Sequence, residues 1–170
     1  MTPVPQGRLT KVQFGNSFVY AANIQFRAMS YVSLYVHVIF STKERRKQIP
    51  EDVQPRLWAY MGGIARANKF KAIAVGGLED HAHLLLSLPA TLQVAKAVQL
   101  IKAGSSKWMH EELQRPLFAW QESYGASSVG VSQIPATVKY IDNQKEHHRK
   151  RGFTEELAMF LKKHGIVPED

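Results

Sequence analysis

Residues 80–89 read DHAHLLLSLP and contain the alternation on which the fold prediction depends. Side chains two residues apart on a strand project to the same face, so His81 and His83 share one face and the aliphatic residues share the other. The aliphatic set is Ala82, Leu84, Leu86 and Leu88. The pattern predicts a strand that stops at Pro89, with helices on its aliphatic face and both histidines on the open face of a sheet.

The segments on either side of this strand predict a regular order of elements. In chain order they are a strand over 31–40, a helix of about 17 residues from Pro50 to near Asn68, a strand over 70–75, the histidine strand, a helix capped by Thr91 that ends before Pro116, a bent strand within 117–132, a helix from Pro135 to about His148 and a short helix over 153–164. This is the α+β order of a ferredoxin-like, split βαβ domain. We expect an antiparallel sheet with helices on one face, followed by a C-terminal helix that carries Tyr140.

The composition narrows the class of protein. The 170 residues carry a formal net charge of +8 and a sequence pI of about 9.8, which favours an anionic polymer such as nucleic acid as partner. The absence of cysteine excludes disulfides, thiolate nucleophiles and cysteine-bound zinc. No apolar run reaches the roughly 18 residues that span a bilayer, and the N-terminus lacks a secretory pattern, so we expect a cytoplasmic protein.

The first 28 residues differ from the rest of the chain. They contain three basic residues and no acidic one, and they show no sustained strand or helix period. We interpret residues 1–28 as a flexible extension and residues 29–170 as a single domain. Because Met29 directly precedes the first strand pattern, a natural start at Met29 and a basic arm that contacts DNA explain the extension equally well.

The histidine pair is the first candidate for chemistry. Two neutral imidazoles on one strand face can ligate a divalent ion and leave positions open for water and a phosphate oxygen. An HxH triplet also arises readily by chance in a chain with seven histidines, and strand histidines are commonly surface or hydrogen-bonded core residues. The pair alone leaves both interpretations open.

Tyr140 and Gln144 are the second candidate. Four residues apart on a helix, the phenol and the amide share a face and can converge on one site. A tyrosine oxygen that attacks phosphorus forms a covalent phosphotyrosine, whereas the phenol pKa near 10 means that a metal or a base must assist it. A half-buried helical tyrosine beside a solvated glutamine is the commoner structural alternative.

Four segments taken together resemble the single-tyrosine HUH transposases, the insertion-sequence-200-like family that includes the repeat-associated tyrosine transposases. They are YVSLYVHVIFSTKERR (31–46), DHAHLLLSLP (80–89), FAWQESYGASSVGVS (118–132) and VKYIDNQKEHH (138–148). The resemblance covers about residues 29–165. No single motif identifies the family, but the four segments together do.

The resemblance implies a role for each motif residue. His81 and His83 match the metal-binding pair of the family, Gln144 matches its third ligand and Tyr140 matches its nucleophile. The implied cofactor is Mg²⁺ or Mn²⁺, and the implied partner is single-stranded or hairpin DNA, cut and rejoined through a 5′-phosphotyrosine intermediate during transposition. It also implies a homodimer, a prokaryotic cell and no nucleotide cofactor. A domesticated protein that binds or nicks DNA without mobilising an element is the alternative.

Basic residues in three regions are the candidate DNA contacts. They are Lys43, Arg45, Arg46 and Lys47, then Lys102 and Lys107, and finally Lys145, Arg149, Lys150 and Arg151. His147 and His148 return near the face of Tyr140. Trp120 and Tyr124 are candidates for stacking on bases, although core packing explains them as well.

Two rival classes make different demands on the sequence. A phosphoesterase with two histidine motifs would need a second HxH strand, and the chain contains one HxH triplet. A non-catalytic nucleic-acid-binding domain would not need His81, His83, Tyr140 and Gln144 together. Both comparisons favour the transposase.

Overall fold

The computed structural model of the chain describes residues 9–14, 17–22, 31–144, 146 and 158. Residues 1–31 and 32–170 form two compact units. The first contains an antiparallel hairpin of β1 (Leu9–Phe14) and β2 (Ser17–Ala22). The sequence shows no sustained period in this segment, because two strands of six residues are too short to stand out. Both explanations of the segment stay predictions.

Four strands of the second unit form one antiparallel sheet. They are β3 (Tyr35–Ser41), β4 (Lys71–Gly77), β5 (His81–Ser87) and β6 (Gly125–Ser128), in the order β4-β5-β3-β6. Helix α1 (Gln54–Ala67) connects β3 to β4, and α2 (Val94–Glu111) connects β5 to β6. This connectivity is the split βαβ arrangement, and it confirms the predicted ferredoxin-like α+β class.

One face of the sheet carries the main hydrophobic core. The aliphatic residues of β5, Ala82, Leu84 and Leu86, are completely buried there with Val38 of β3. Buried residues of both helices complete this core, namely Leu57, Met61 and Ala65 of α1 and Ala97, Val98, Ile101 and Met109 of α2. Hydrophobic alternation on β5 therefore predicted correctly which side faces α1 and α2.

The opposite face is covered by α3 (Ile134–Asp142). Ile141 of this helix is buried with Ala74 of β4 and Leu85 of β5, and Val138 and Tyr140 pack against them. The expectation that the histidines lie on an open face was therefore wrong. Period-two alternation separates the two faces of a strand but does not reveal that a helix more than 40 residues later in the chain covers the polar one.

Several element boundaries differ from the predictions. The first strand begins at Tyr35 rather than Tyr31, and α1 begins at Gln54 because residues 51–53 form a turn. Gln93, not Thr91, precedes α2, without a side-chain cap. Within 117–132 the regular strand is β6 alone, preceded by an isolated bridge between Thr42 and Trp120. Most of the predicted C-terminal helix over 153–164 and the end of the Pro135 helix lie outside the described residues.

Among the helices described, none is both long and apolar enough to cross a membrane.

Candidate active site

The two histidines of β5 lie in the interior of the domain. His81 has no exposed surface and His83 is 1% exposed. His83 stands opposite Ile39 of β3 and Gly76 of β4, and His81 stands opposite Ser41 of β3. Strand β3 flanks both histidines, β4 also flanks His83, and Tyr140 of α3 packs against the His83 ring.

Helix α3 brings the predicted nucleophile to this position within the same chain. The ring centroids of Tyr140 and His83 are 5.6 Å apart, and the planes are nearly perpendicular at 85°. Gln144, one turn later, is 1% exposed, and its Nε2 donates a hydrogen bond to the carbonyl oxygen of Tyr140 at 3.3 Å. Helix α3 thus places the phenol beside His83 and buries the amide one turn later.

Two glycines at the end of β4 make this close approach possible. A Cβ atom on Gly76 would lie 2.7 Å from the carbonyl oxygen of Ile141, so the backbone of α3 sits directly against β4 beside His83. Gly77 has a φ of +150°, and a Cβ there would lie 2.2 Å from the carbonyl oxygen of His81. The first glycine seats α3, and the second forms the tight turn into the histidine strand.

His81 is oriented by the carboxylate that precedes it. Its Nδ1 lies 2.7 Å from Oδ1 of Asp80. The guanidinium of Arg45 forms an ion pair with Oδ2 of Asp80 at 3.2 Å. Burial raises the pKa of Asp80, but the hydrogen bonds and charges of His81 and Arg45 lower it by more, so the net pKa lies below its usual value. Asp80 is therefore ionised at neutral pH, and it directs Nε2 of His81 away from itself, as carboxylates do behind metal-bound histidines.

The donor set fits a divalent cation. Nε2 of His81, Nε2 of His83 and Oε1 of Gln144 are each buried, with less than 1 Å² exposed. The hydrogen bonds described for these side chains use their other polar atom, which is Nδ1 in each histidine and Nε2 in Gln144. Over the described ranges, no group of three His, Cys, Asp or Glu side chains is placed to bind a metal. Among the described residues, Gln144 offers a buried amide oxygen as a third ligand to join the two histidines.

His37 is a site residue that the sequence reasoning missed. Its Nε2 lies 3.1 Å from Nδ1 of His83, the two rings are stacked with centroids 5.3 Å apart, and Tyr140 contacts it edge-on at 5.9 Å. The available signal was the alternation of β3. In β3 the aliphatic residues alternate with a second set that includes His37. Because β3 pairs with β5, this second set lies on the same face of the sheet as His81 and His83.

The basic loop after β3 is exposed and tied to the histidine strand. Lys43, Arg45 and Arg46 are exposed, and Arg45 and Glu44 both have a φ of +55°, unusual for residues with side chains. The Arg45 ion pair with Asp80 connects this loop to His81 through one carboxylate. The structure thus places the predicted DNA-contacting loop next to the metal-binding candidates.

Lys102 occupies a different environment from the other predicted DNA contacts. Its Nζ donates hydrogen bonds to the backbone carbonyls of Gln121, Glu122 and Ser123, the latter two at 3.0 and 3.3 Å. Burial lowers the pKa of Lys102, and Glu122 partly offsets that effect. This geometry assigns the ammonium to anchoring the loop before β6, whereas Lys107 is exposed and 3.9 Å from Glu111.

The remaining candidates separate into core, surface and undescribed residues. Trp120 is 7% exposed, packs edge-on against Phe40 and Phe118, and donates its indole N–H to Ser105 at 2.9 Å. It is therefore a core residue, whereas Tyr124 is 39% exposed. The candidates outside the described residues are Lys145, His147, His148, Arg149, Lys150 and Arg151.

Known proteins similar to this chain include transposases. A curated relative, the ISDra2 transposase TnpA of Deinococcus radiodurans, is 27% identical over 119 residues, which is 66% of this chain and 85% of the relative. A crystal structure of a protein described as a transposase from Deinococcus radiodurans R1 has a TM-score of 0.55 and 26% identity over 71% of this chain and 96% of that one.

Two further comparisons concern fold and family. A REP-associated tyrosine transposase, solved bound to a REP hairpin, shares the fold with a TM-score of 0.53 and 16% identity, over 71% of this chain and 72% of that one. The model of the family described as "Transposase IS200 like" matches residues 30–144, more than half of the chain. The chain belongs to the IS200-like transposase family, and the protein is a DNA transposase, an enzyme that acts on DNA.

Proposed function

We propose that this transposase cuts and rejoins single-stranded or hairpin DNA through a 5′-phosphotyrosine on Tyr140, assisted by Mg²⁺ or Mn²⁺ bound to His81, His83 and Gln144. One observation carries the proposal. Helix α3 places the phenol ring of Tyr140 against His83, which lies beside His81, and Gln144 is buried one turn after Tyr140 in the same chain. In the proposal, Tyr140 is the nucleophile, and the neighbouring His81, His83 and Gln144 are the ligands of the cation.

The covalent step conserves the energy of the phosphodiester bond. The Tyr140 oxygen forms a bond to the scissile phosphorus as the bond from phosphorus to the 3′ oxygen breaks. The phenol loses its proton, and the departing 3′ oxygen gains one and leaves as a hydroxyl. Attack of another 3′ hydroxyl on the phosphotyrosine reverses the step and joins new ends without ATP.

The chain's own side chains prepare this reaction. Asp80 orients His81, the fold buries His83 and Gln144, and α3 holds Tyr140 beside them. A bound divalent cation supplies Lewis-acid polarisation of the phosphate and neutralises developing charge, effects worth several kcal/mol. The exposed Lys43 and Arg46 are suited to binding the DNA backbone near this position.

The proposed substrate and assembly have separate support. The REP-associated tyrosine transposase of similar fold is bound to a REP hairpin, which supports hairpin DNA as the first substrate to test. A net charge of +8 suits a polyanionic partner. A homodimer belongs to the proposal on the family resemblance, and it is tested by the mass of the protein in solution.

An adduct assay tests the proposal. The full chain is incubated with a library of labelled single-stranded hairpin oligonucleotides and Mn²⁺, and protein–DNA species that resist SDS are counted. We expect a covalent adduct that disappears in Tyr140→Phe and after chelation with EDTA. The matched control is Tyr60→Phe, because Tyr60 of α1 stacks on Trp108 and lies on another element.

Two results would contradict the proposal. An adduct that persists in Tyr140→Phe would place the nucleophile elsewhere. Hairpin binding with no adduct in the wild type, across the whole library, would indicate a DNA-binding protein that does not cut.

A further inference from the structure

We infer that His37 is a positioning residue that selects the metal-binding tautomer of His83. This inference rests on the proposed function, because it assigns the partner that prepares one of the three proposed ligands. His37 stands on β3, opposite Leu85 of β5 and Ser127 of β6, and its side chain is 6% exposed. Strands on both sides hold its backbone, and the position of its ring is therefore fixed by the sheet.

The contact between the two imidazoles permits two proton arrangements. With Nε2 of His37 3.1 Å from Nδ1 of His83, one of these nitrogens donates and the other accepts. If His37 donates, a neutral His83 carries its proton on Nε2, and that nitrogen cannot ligate a cation. If Nδ1 of His83 donates, its Nε2 keeps a lone pair. Metal binding through Nε2 therefore requires His37 to accept.

The two histidine ligands are thus prepared by different partners. His81 has the carboxylate of Asp80 as its acceptor, at 2.7 Å. His83 has a buried imidazole in the corresponding role, stacked on it with an angle of 29° between the planes. A histidine acceptor orients the ligand without adding a second negative charge to the buried site, which suits a centre that must also receive a phosphate.

Tyr140 lies against both members of this pair. Its ring centroid is 5.6 Å from that of His83 and 5.9 Å from that of His37, with both contacts edge-on. A change of the ring position at residue 37 is therefore felt by a ligand and by the nucleophile together. His37 acts on His83 through a hydrogen bond and on Tyr140 through ring packing alone.

The test uses two variants that differ in one property. His37→Gln places an amide oxygen where the accepting Nε2 stood, whereas His37→Phe keeps a planar ring of similar volume and removes the acceptor. Nitrogen-15 NMR of the full-length, metal-free protein reports which nitrogen of His83 carries the proton. Titration with Mn²⁺ followed by electron paramagnetic resonance reports metal affinity without any DNA.

We expect wild-type His83 to carry its proton on Nδ1. In His37→Phe that preference is lost and Mn²⁺ affinity falls about 10- to 100-fold, whereas His37→Gln retains affinity within about threefold of the wild type. A wild-type His83 protonated on Nε2 would overturn the inference without any variant. An equal loss of affinity in both variants would also overturn it, because packing alone would then explain the effect.

A further variant separates this inference from the proposed function. His81→Ala removes a proposed ligand that takes no part in the hydrogen bond between His37 and His83. If His81→Ala leaves Mn²⁺ affinity unchanged, the proposed metal site is wrong, and the His83 tautomer alone then decides the inference. If His81→Ala abolishes binding while His37→Phe changes neither tautomer nor affinity, the metal site stands and the role of His37 is rejected.

Discussion

The two faces of the central sheet are built from alternate residues of one strand, yet they bury different chemistry. Toward α1 and α2, β5 presents Ala82, Leu84 and Leu86, all within one continuous hydrophobic core. Toward α3 it presents His81, His83 and Leu85, and the small apolar cluster around Leu85 lies beside the imidazoles.

Along this one strand, the residues on the aliphatic face contribute to stability and the residues on the histidine face contribute to the proposed reaction. Burial of the aliphatic side is favourable by itself, because it removes apolar surface from water. Burial of two imidazoles and an amide is favourable only when hydrogen bonds or a ligand compensate their desolvation. We therefore expect substitutions on the aliphatic face to change the free energy of unfolding and substitutions on the histidine face to change the reaction.

His83→Leu should have the largest effect, and most of that effect should be on the reaction. Removal of the ligand should lower the rate of adduct formation by about 10³-fold, or about 4 kcal/mol of transition-state stabilisation. The free energy of unfolding should fall by about 1–3 kcal/mol, because leucine removes the hydrogen bond between Nε2 of the buried His37 and His83. The adduct assay and urea denaturation measure the two quantities, and an active His83→Leu enzyme would refute the assignment.

Leu84→Ala should give the reverse result on the other face. Leu84 is completely buried in the main core, and truncation of a buried leucine costs about 2–5 kcal/mol of unfolding free energy. Urea denaturation should show this loss, while the rate of adduct formation per folded molecule stays near the wild-type rate. A rate loss as large as that of His83→Leu at full folding would show that the two faces are not separable.

Gly76→Ala should displace the tyrosine helix. The added Cβ would lie 2.7 Å from the carbonyl oxygen of Ile141, so α3 must shift, and we expect about a tenfold loss of both Mn²⁺ affinity and adduct rate. Gly62→Ala in α1 is the matched control, because nothing lies within 4 Å of its added Cβ. Equal behaviour of the two variants would show that close seating of α3 has no role.

Lys102→Met should have the smallest effect, on the loop before β6. Loss of the ammonium that contacts three carbonyls should cost about 1 kcal/mol of unfolding free energy. The salt dependence of DNA binding should not change, whereas Lys43→Met should reduce its slope by about 0.7 if Lys43 contacts one phosphate of a single strand. A reduced slope in Lys102→Met would return this lysine to the DNA-contacting residues.

The sequence predicted the order of the elements and the candidate site residues, but it did not predict what surrounds those residues. Alternation in β5 and helical spacing in α3 are local properties, so His81, His83, Tyr140 and Gln144 could be found from periodicity and resemblance. That α3 covers the histidine face is a tertiary property, and local periodicity contains no information about it. The same limit explains why His37 was missed, since its contact with His83 spans 46 residues.

The contacts of Lys102 and the N-terminal hairpin were also not apparent from the sequence. Lys102 is a basic residue of the kind that contacts DNA, but its ammonium donates hydrogen bonds to three backbone carbonyls of a distant loop. Basic side chains can be counted in the sequence, but the sequence does not show which of them already make hydrogen bonds within the folded protein. In the hairpin, Leu9–Phe14 and Ser17–Ala22 are stabilised by each other rather than by strong individual patterns.

The most direct test is to identify the residue that carries the DNA. The wild-type adduct, trimmed with nuclease and digested with trypsin, should yield the peptide of residues 140–145, YIDNQK, with a nucleotide joined through its 5′ phosphate to Tyr140. Tandem mass spectrometry locates the modified residue. DNA attached to any other tyrosine, or to a residue outside α3, would contradict the account that the histidine face of the sheet is where this transposase cuts.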